Sequence, residues 1–427
     1  MATNIERNSK PLATSVEAVG TSRYTVGVLT CREFDALHDA EFFAAQPASP
    51  AVFVLRAKAS GGEPYVSKTA NLRRRLERLL GSPKDAAADA VHSRRLNLRE
   101  RVRAVEFCPV GGDFEAAFAL YRLLRAEFPA RYAERLHLRP APLLWLLRDN
   151  PYPRVAVSSR IRSLRAGGEY FGPFASRAEA EQYANDSLDF FLLRHCTDEL
   201  KPDRSFPGCV YSEMKMCLAP CFKGCSDERY AQEAARVVRY LESGGHSLLV
   251  EIGRARDEAS ERLEFEAAAA AHARLEKLKA VRSRLAEIVH RIDRLNGLLL
   301  QPSHLPGHIA LFRIAAGMLD GPIAFDVSAE RAGSQSMEAR IKGLLHSAEA
   351  VAPGSAQEWM EHLAILKRWY YRTNKVGEIF FEDEHGALPM RRVVRAVGRV
   401  LKGEKPAGDL SETAGDYWAY RARDGGL

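Results

Sequence analysis

The sequence lacks several features that would assign it to a specialised class of protein. It has no apolar run close to the ~20 residues that a membrane-spanning helix needs, and its first twenty residues lack the apolar stretch of a secretory signal. Internal repeats and low-complexity segments are also missing. With 46% hydrophobic and 27% charged residues among 427, the composition excludes a collagen, a mainly disordered chain and a disulfide-built mini-protein. We therefore expect a cytoplasmic protein of about three globular domains, without a membrane partner.

The chain also has little excess of one charge. Its 62 Lys and Arg residues against 55 Asp and Glu residues give a net charge of +7, which favours polyanionic partners only weakly over this length. The excess is concentrated in residues 71–103, which contain ten Lys or Arg and four Asp or Glu. Such a local excess suits contacts with DNA phosphates, although a solvated helix face is the commoner role of a charge run. We favour DNA-backbone binding by Arg73, Arg74, Arg78, Arg94 and Arg95.

Cysteine is scarce except in one window. Five of the seven cysteines fall within thirty residues, at Cys196, Cys209, Cys217, Cys221 and Cys225. In a reducing compartment such a cluster indicates a metal site rather than disulfides. Buried cysteines can also act as small apolar residues, but five in one short window argue against that reading.

The spacing of these cysteines leaves two metal sites open. Four thiolates can hold an iron–sulfur cluster or a structural zinc ion. Cys217 and Cys221 are four residues apart, whereas a zinc knuckle usually has two residues between its cysteines. This departure favours a cluster over zinc, and His195 is a possible substitute ligand.

Hydrophobic periodicity indicates a mixed fold in the first third of the chain. Apolar residues at helical spacing predict an amphipathic helix over Thr69–Leu80 and another over Phe114–Glu127. A further helix is predicted over Arg32–Ala45. Alternating or apolar segments predict strands at Tyr24–Leu29, Ala51–Arg56, Tyr65–Ser67 and Arg101–Cys108. The predicted order is β, α, β, β, α, β, α.

The remaining chain reads as a linker, helices and a small α/β module. Prolines make residues 139–169 linker-like, with a possible strand at Val155–Ser158. Helical patterns cover Asp227–Leu241 and Leu248–Leu295, and the second is too long for one globular helix, so we place a break near Arg262–Glu264 to give a hairpin. Further strands are predicted at Ile309–Ile314, Ile323–Val327 and Glu378–Glu382, with a helix at Gln357–Tyr371.

Three motifs in succession resemble the UvrC family, the nuclease subunits of the bacterial UvrABC excision-repair system. The resemblance runs in the family's order from about residue 48 to 385. The motifs are Tyr65–Leu72 with Arg75 and Leu76, similar to half of a GIY-YIG nuclease domain; Tyr170–Phe174 with the cysteines and Ala219-Pro220-Cys221; and Leu263–Ala269 with Leu275 and Leu278, similar to a UVR motif. Complete family members continue into RNase H-like and helix-hairpin-helix domains, so the resemblance is to a truncated form.

The resemblance and the patterns together imply an α+β multidomain fold. A small GIY-YIG-like α/β domain is followed by a Cys-rich metal or cluster module, an α-helical hairpin and a small C-terminal α/β module. The expected boundaries are 24–140 for the nuclease-like domain, 141–225 for the linker and Cys-rich module, 226–297 for the helical region, 305–403 for the last module and 404–427 for a tail.

By this resemblance Tyr65 matches the tyrosine at the attacking water, and Lys68 and Arg75 match the basic residues that stabilise phosphate charge. A GIY-YIG enzyme also needs a carboxylate that holds one Mg²⁺ or Mn²⁺ ion. The family's metal-binding glutamate corresponds to Leu120, which cannot bind a hard cation. Glu115 is a poor replacement because it lies on a different face of the helix, and Glu127 lies nearer that face but about two turns away. We therefore expect a nuclease fold that has lost catalysis, with an active single-cut endonuclease as the alternative.

The resemblance also implies a cofactor and partners. Cys196, Cys209, Cys217 and Cys221 match the part of the family that carries a [4Fe–4S] cluster, and Cys225 is extra. The UVR-like hairpin implies a UvrB-like partner contacted by Phe265, Leu275 and Leu278, alongside DNA and a UvrA-like protein. A coiled-coil hairpin without a partner is the structural alternative, and an adaptor role is a third functional hypothesis.

Overall fold

The computed structural model describes residues 29–82, 96–148, 151–162, 169–197, 199–328, 335–347 and 353–405. Within these ranges the chain forms three antiparallel sheets of four strands each, with helices packed on and between them. The fold is therefore α+β, as the sequence predicts. Among the helices of the described ranges, none has the length and apolarity needed to cross a membrane.

The first sheet belongs to the N-terminal unit, which we define as residues 29–82 and 96–138. Its strands follow the order β1-β4-β2-β3. The elements are β1 (Thr30–Glu33), α1 (Asp39–Ala44), β2 (Ala51–Ala57), β3 (Tyr65–Thr69), α2 (Leu72–Leu80), β4 (Val102–Pro109), α3 (Asp113–Glu127) and α4 (Tyr132–Leu136). Residues 24–28 of the predicted first strand lie outside the described ranges, and residues 30–33 are a strand rather than part of a helix.

Helices α2 and α3 cover opposite faces of this sheet. Because side chains alternate along a strand, Phe53 of β2 packs with Leu72 and the rest of the apolar face of α2. The neighbouring Val52 packs with Ala116 and the apolar face of α3. Asn71 ends the preceding loop and caps α2, its side chain accepting a hydrogen bond from an amide of the first turn.

The second sheet replaces much of the linker that prolines predicted for residues 139–169. Its strands are β5 (Leu143–Leu147), β6 (Arg154–Ser158), β7 (Glu169–Gly172) and β8 (His290–Arg291), in the order β6-β5-β7-β8. The linker prediction is wrong because the prolines lie beside the strands and mark their ends, while the run from Leu143 to Leu146 is fully apolar and buried. The predicted strand at Val155–Ser158 is confirmed.

Helices follow this sheet and surround the cysteine window. They are α5 (Arg177–Leu188), α6 (Val210–Glu213), α7 (Asp227–Glu242), α8 (His246–Glu261) and α9 (Phe265–Ser283). The predicted break at Arg262–Glu264 is confirmed, with Leu263 in the left-handed region at φ 59°. Helix α9 ends twelve residues earlier than the pattern suggests, because the chain beyond 289 enters β8.

The third sheet forms the C-terminal module, residues 297–328, 335–347 and 353–405. Its strands are β9 (Gly297–Pro302), β10 (His308–Ala315), β11 (Met318–Asp326) and β12 (Glu378–Phe381), in the order β11-β10-β9-β12. Its helices are α10 (Met337–Ser347), α11 (Ala356–Tyr370) and α12 (Met390–Lys402). Sequence patterns predicted β10, β11, β12 and α11 but not β9, α10 or α12.

The C-terminal sheet separates two cores. Helices α10 and α12 pack on one face, where Leu300 and Val393 meet. On the other face, Phe312 of β10 joins Leu363 of α11 and Phe114 of α3 in one continuous cluster that extends through the second sheet to the helical hairpin. The N-terminal unit and the C-terminal module are therefore packed together rather than joined by a free linker.

Candidate functional site

Tyr65 and Arg75, two of the residues predicted to be catalytic, are in contact. Arg75 Nη2 donates a hydrogen bond of 3.0 Å to the Tyr65 hydroxyl. Tyr65 lies on β3 and its ring packs near that of Phe53, 6.2 Å away between centroids. Tyr65 and Phe53 therefore lie on the sheet face that α2 covers.

Lys68, the third predicted catalytic residue, lies on the opposite face of the sheet. In the register of β2 and β3, Tyr65 is paired with Leu55 and Lys68 with Val52. Directly paired residues share a face, and Leu55 belongs to the α2 cluster whereas Val52 belongs to the α3 cluster. The structure thus brings Tyr65 and Arg75 together and separates both from Lys68.

Lys68 lines a cavity of about 100 Å³ between β3, α3 and α11, which we name the interdomain pocket. Leu120, which the family resemblance predicts to stand in place of a metal-binding glutamate, lies on its wall. Phe114 and Trp369 add further apolar wall, and their rings are 5.8 Å apart in an edge-on contact. Where a GIY-YIG enzyme needs a carboxylate, this pocket has an aliphatic side chain.

The two nearby carboxylates considered as replacements have other partners. Glu115 is buried and accepts a hydrogen bond of 2.7 Å from the Gly111 amide. Burial raises the pKa of Glu115, which disfavours the charged form that a metal needs. Glu127 accepts two hydrogen bonds of 2.7 Å from Arg56. Neither residue lines the interdomain pocket.

One carboxylate that the sequence reading did not single out, Asp113, does line the pocket. Arg372 donates a hydrogen bond of 2.8 Å to Asp113 Oδ2. That bond lowers the pKa of Asp113, and Lys68 and Arg368 lower it further. Asp113 is therefore an ionised partner of an arginine rather than a free metal ligand.

Positive charge dominates the polar part of the interdomain pocket. Lys68, Arg368 and Arg372 line it together with the single carboxylate of Asp113. Burial lowers the pKa of Lys68, Asp113 raises it, and the two arginines lower it again. Arg368 lies in the last turn of α11 and Arg372 lies two residues after its end, and only the folded chain brings them beside Lys68.

Contacts between α3, α4 and α11 hold the pocket together. Tyr132 donates a hydrogen bond of 2.8 Å to Glu361, and Arg125 lies 3.3 Å from the same carboxylate. Arg122 donates a bond of 2.8 Å to the carbonyl of Gly321 in the C-terminal module. Helix α11 is therefore fixed against the face of α3 that carries Leu120.

The arginines predicted to bind DNA have different environments. Arg74 and Arg78 are exposed and lie one turn apart on α2. Arg73 is half-buried, and its guanidinium donates hydrogen bonds of 2.9 and 3.0 Å to the carbonyls of Gln46 and Ala44. Arg94 and Arg95 lie outside the described ranges.

The four cysteines predicted to be metal ligands interact with one another. Burial raises the pKa of Cys217, and Cys209, Cys221 and Cys196 raise it further. Burial likewise raises the pKa of Cys221, as do Cys209 and Cys196. Cys225 interacts with Cys221 among this set, and its main charged neighbours are Asp227 and Arg229. Cys196, Cys209 and Cys221 thus lie close enough to influence Cys217, whereas Cys225 interacts with Cys221 alone among these thiols.

This thiol set is not a finished metal site. Within the described ranges, no group of three or more His, Cys, Asp or Glu side chains has metal-binding geometry. A buried cation does accompany the thiols, since Arg194 is 5% exposed and its Nη1 lies 3.7 Å from Cys196 Sγ. His195 instead stacks on Tyr211, with Asp189 as its charged neighbour. Metal binding by these cysteines therefore stays a prediction from the sequence.

The residues predicted to contact a partner are divided between surface and core. Phe265 is 71% exposed and Leu263 is 70% exposed at the turn of the α8–α9 hairpin. Leu275 and Leu278 are buried in the central cluster and are closed to a partner in this conformation. Of the three residues predicted to contact a partner, only Phe265, at the exposed turn of the hairpin, is therefore accessible.

Comparison with known proteins identifies the middle of the chain. The family model described as the UvrC/Cho excinuclease middle domain matches residues 143–240. This part of the chain is similar to UvrC. The UvrC-type middle domain runs from the start of β5 into α7 and contains all five clustered cysteines.

Curated relatives extend the similarity beyond this UvrC-type domain. The UvrABC system protein C of Alkalilimnicola ehrlichii is 31% identical over 223 residues, 52% of this chain and 34% of the relative. That of Agrobacterium fabrum is 31% identical over 249 residues, 57% of this chain and 34% of the relative. That of Rickettsia bellii is 25% identical over 297 residues, 68% of this chain and 44% of the relative. The matched part thus spans about a third to under a half of these relatives, and no solved structure matches the chain.

Proposed function

We propose that this protein is a DNA-binding protein of nucleotide excision repair, with a GIY-YIG-type nuclease domain that no longer cuts. The similarity to UvrABC system protein C supports the repair role. The observation that carries the loss of catalysis is Leu120 on the wall of the interdomain pocket, in place of a metal-binding carboxylate.

The chemistry of phosphodiester hydrolysis explains why a leucine at position 120 is enough to argue against catalysis. A divalent cation in such a site neutralises the phosphate and lowers the pKa of the attacking water. A hard cation of this kind needs oxygen ligands. Glu115 and Glu127 are held by Gly111 and Arg56, and Asp113 is held by Arg372. The three carboxylates nearest in sequence to Leu120 on α3 thus already have partners.

The test is incision of an end-labelled duplex that carries a lesion. Purified protein is incubated with Mg²⁺ or Mn²⁺, with and without UvrA and UvrB, and Tyr65→Phe is the matched control. We expect retained DNA binding and no cut by either protein. A cut by the wild type that is lost in Tyr65→Phe contradicts the proposal and establishes a working single-cut nuclease.

We propose further that Cys196, Cys209, Cys217 and Cys221 hold a [4Fe–4S] cluster, with zinc as the alternative. Four thiolates are sufficient ligands for either group. The mutual influence of these four thiols and the buried guanidinium of Arg194 support this set. Cys225 is outside it.

The cysteine proposal is tested by metal analysis of protein purified without oxygen. Cys217→Ser should lose iron and visible absorbance, and Cys225→Ser is the matched control that should keep both. If the wild type contains zinc instead of iron and Cys217→Ser loses that zinc, the alternative of a zinc site is correct. Equal metal content in the two variants contradicts the ligand set.

An active single-incision endonuclease is a second candidate, favoured by the 3.0 Å hydrogen bond between Arg75 and Tyr65. An arginine at this position holds the phenol in a fixed orientation. The incision experiment above separates this candidate from the first, because only an active enzyme makes Tyr65→Phe differ from the wild type.

An adaptor for a UvrB-like partner is a third candidate, favoured by the exposed tip of the α8–α9 hairpin at Leu263 and Phe265. The test is co-purification with UvrB of the wild type and of Phe265→Ser. Val250→Ser on α8, a 44% exposed apolar residue away from the tip, is the control. Equal recovery of UvrB with all three proteins contradicts the adaptor role.

A further inference from the structure

The interdomain pocket has a charge pattern that neither a nuclease centre nor a structural interface requires. Three cations and one carboxylate line a cavity otherwise made of apolar side chains. The carboxylate of Asp113 takes Arg372 as its partner at 2.8 Å. Lys68 and Arg368 remain, and within the described ranges neither forms an ion pair or side-chain hydrogen bond.

Two uncompensated cations beside a half-buried cavity make it a receptor for an anion. Burial lowers the pKa of Lys68 and the two arginines lower it further, and Asp113 offsets only part of this effect, so the ammonium gains from a further counter-charge. An anion placed between Lys68 and Arg368 relieves this cost and forms charge-assisted hydrogen bonds with both. The site has no comparable use for a cation, because its one carboxylate is occupied.

The size and charge of the pocket select among anions. A cavity of about 100 Å³ has room for several water molecules, and therefore for one phosphate group. A phosphate monoester carries a charge of about −1.5 to −2 at pH 7, which matches two free cations. An internal phosphodiester carries only one negative charge, so it matches the charge of the pocket less well.

We propose that the interdomain pocket binds a phosphate monoester, held by Lys68 and Arg368 with Arg372 at its edge. The ligand is either the terminal phosphate of a DNA strand or free inorganic phosphate, since both present the same dianion. Capture of a DNA end rests on the proposed DNA-binding function, whereas capture of free phosphate does not. Leu120 contributes to the apolar wall and no bond is cut.

The experiment compares two duplexes that differ only in a 5′-phosphate or a 5′-hydroxyl, with the fluorophore on the other strand. Fluorescence anisotropy gives the affinity of each for the full chain. We expect about tenfold tighter binding of the phosphorylated end, and loss of that preference in Lys68→Gln and in Arg368→Gln. Arg391→Gln, an exposed arginine on α12, is the matched control and should keep the preference.

A gain-of-function variant separates ligand binding from a merely structural role. Asp113→Asn removes the opposing carboxylate and frees Arg372, so we expect a stronger preference for the phosphorylated end. Damage to the fold would weaken binding instead. Thermal unfolding of each variant without DNA identifies any that fold poorly.

Competition by inorganic phosphate distinguishes the two sources of the ligand. Protection of Lys68 from acylation by phosphate, with no preference between DNA ends, supports the pocket and identifies the free anion as its ligand. DNA binding with neither an end preference nor phosphate protection overturns the pocket while leaving the proposed DNA-binding function intact. Absence of all DNA binding overturns that function and leaves phosphate protection to decide on the pocket.

Discussion

The hydroxyl of Tyr132 donates a 2.8 Å hydrogen bond to the carboxylate of Glu361, across 229 positions in the chain. Gln357 Nε2 donates a second bond of 3.0 Å to the same tyrosine oxygen. The bonds are buried and join α4 of the N-terminal unit to α11 of the C-terminal module. The Glu361 carboxylate loses its hydration at this interface, and the hydrogen bonds from the protein offset that loss.

Removal of this hydroxyl is expected to weaken the whole fold. Tyr132→Phe leaves the buried Glu361 with one donor fewer, and an unsatisfied buried group of this kind costs about 1–3 kcal/mol. We expect the free energy of unfolding in urea to fall by that amount. Tyr211→Phe, whose hydroxyl has no hydrogen-bond partner in the described part of the chain, should change it by less than about 0.5 kcal/mol. Equal effects of the two changes would argue against a role for the Glu361 contact.

Restoring a glutamate at Leu120 is not expected to restore cutting. Lys68 and residue 120 share the interdomain pocket, but Tyr65 and Arg75 lie on the other face of the sheet. A carboxylate at position 120 therefore adds a metal ligand without assembling the remaining groups. Incision by Leu120→Glu with Mn²⁺ should stay at background, with Leu120→Gln as the isosteric control. Cutting by the glutamate variant alone would show that the groups do meet during catalysis.

The exposed and the anchored arginines of α2 should differ in how they affect DNA binding. Arg74 and Arg78 are free to contact phosphates, so Arg74→Gln and Arg78→Gln should each reduce the slope of log K against log salt by about 1. Arg73→Gln breaks bonds to backbone carbonyls and should lower thermal stability while leaving the slope unchanged. The measurement is a salt titration of duplex affinity. An equal reduction of the salt-dependence slope in all three variants would show that Arg73 also contacts a DNA phosphate.

Arg194 should influence the electronic properties of a bound cluster. A buried guanidinium 3.7 Å from Cys196 Sγ favours the more negative, reduced state. Arg194→Gln is therefore expected to shift the reduction potential to a more negative value. The measurement is a spectroscopic redox titration of anaerobic protein, with Arg391→Gln, an exposed arginine on α12, as control. An unshifted potential in Arg194→Gln would show that Arg194 has only a structural role, through its hydrogen bond to the carbonyl of Tyr152.

His362 predicts a loss of stability in mild acid. Burial, with Arg125 and Arg122 nearby, lowers the pKa of His362 to about 3, and its Nδ1 accepts a 2.9 Å hydrogen bond from the Leu319 amide. Below the unfolded pKa of 6.5 the unfolded state binds a proton that the folded state excludes, so stability falls as the pH decreases from 6.5 toward 3. Between pH 6.5 and 5 this loss is about 2 kcal/mol.

The test compares unfolding of the wild type and of His362→Gln in urea at pH 7 and pH 5. Glutamine retains an acceptor but does not titrate in this range, so its stability should change less between the two pH values. Parallel loss in both proteins would assign the acid sensitivity to other groups.

The sequence predicted much of the fold because the local signals agreed with the tertiary structure. The break at Arg262–Glu264 followed from helix length alone, and Leu263 occupies that turn. The apolar run at Leu143–Leu147 was misread because prolines on both sides resemble a linker, although a buried strand has the same flanks. Strand β9 was missed because its leucines continue the apolar pattern that precedes them.

The candidate site was predictable only in part. The cluster of cysteines and the leucine at position 120 are visible in the sequence, because each depends on residue identity at a fixed spacing, and the roles predicted for them stay predictions. The interdomain pocket was not, because Arg368 and Arg372 are some 300 positions from Lys68 and carry no motif. The opposite placement of Tyr65 and Lys68 follows from strand register, which a list of motif residues does not contain.

The packing of α3 against α11 has a consequence for synthesis of the chain on the ribosome. Phe114 and Phe118 emerge about 250 residues before the helix that covers them, which at 5–20 residues per second is roughly 12 to 50 s. During that interval the nascent N-terminal unit displays an aromatic surface with no cover from its own chain. Chaperone capture of ribosome-bound intermediates should therefore end only when α11 has been translated.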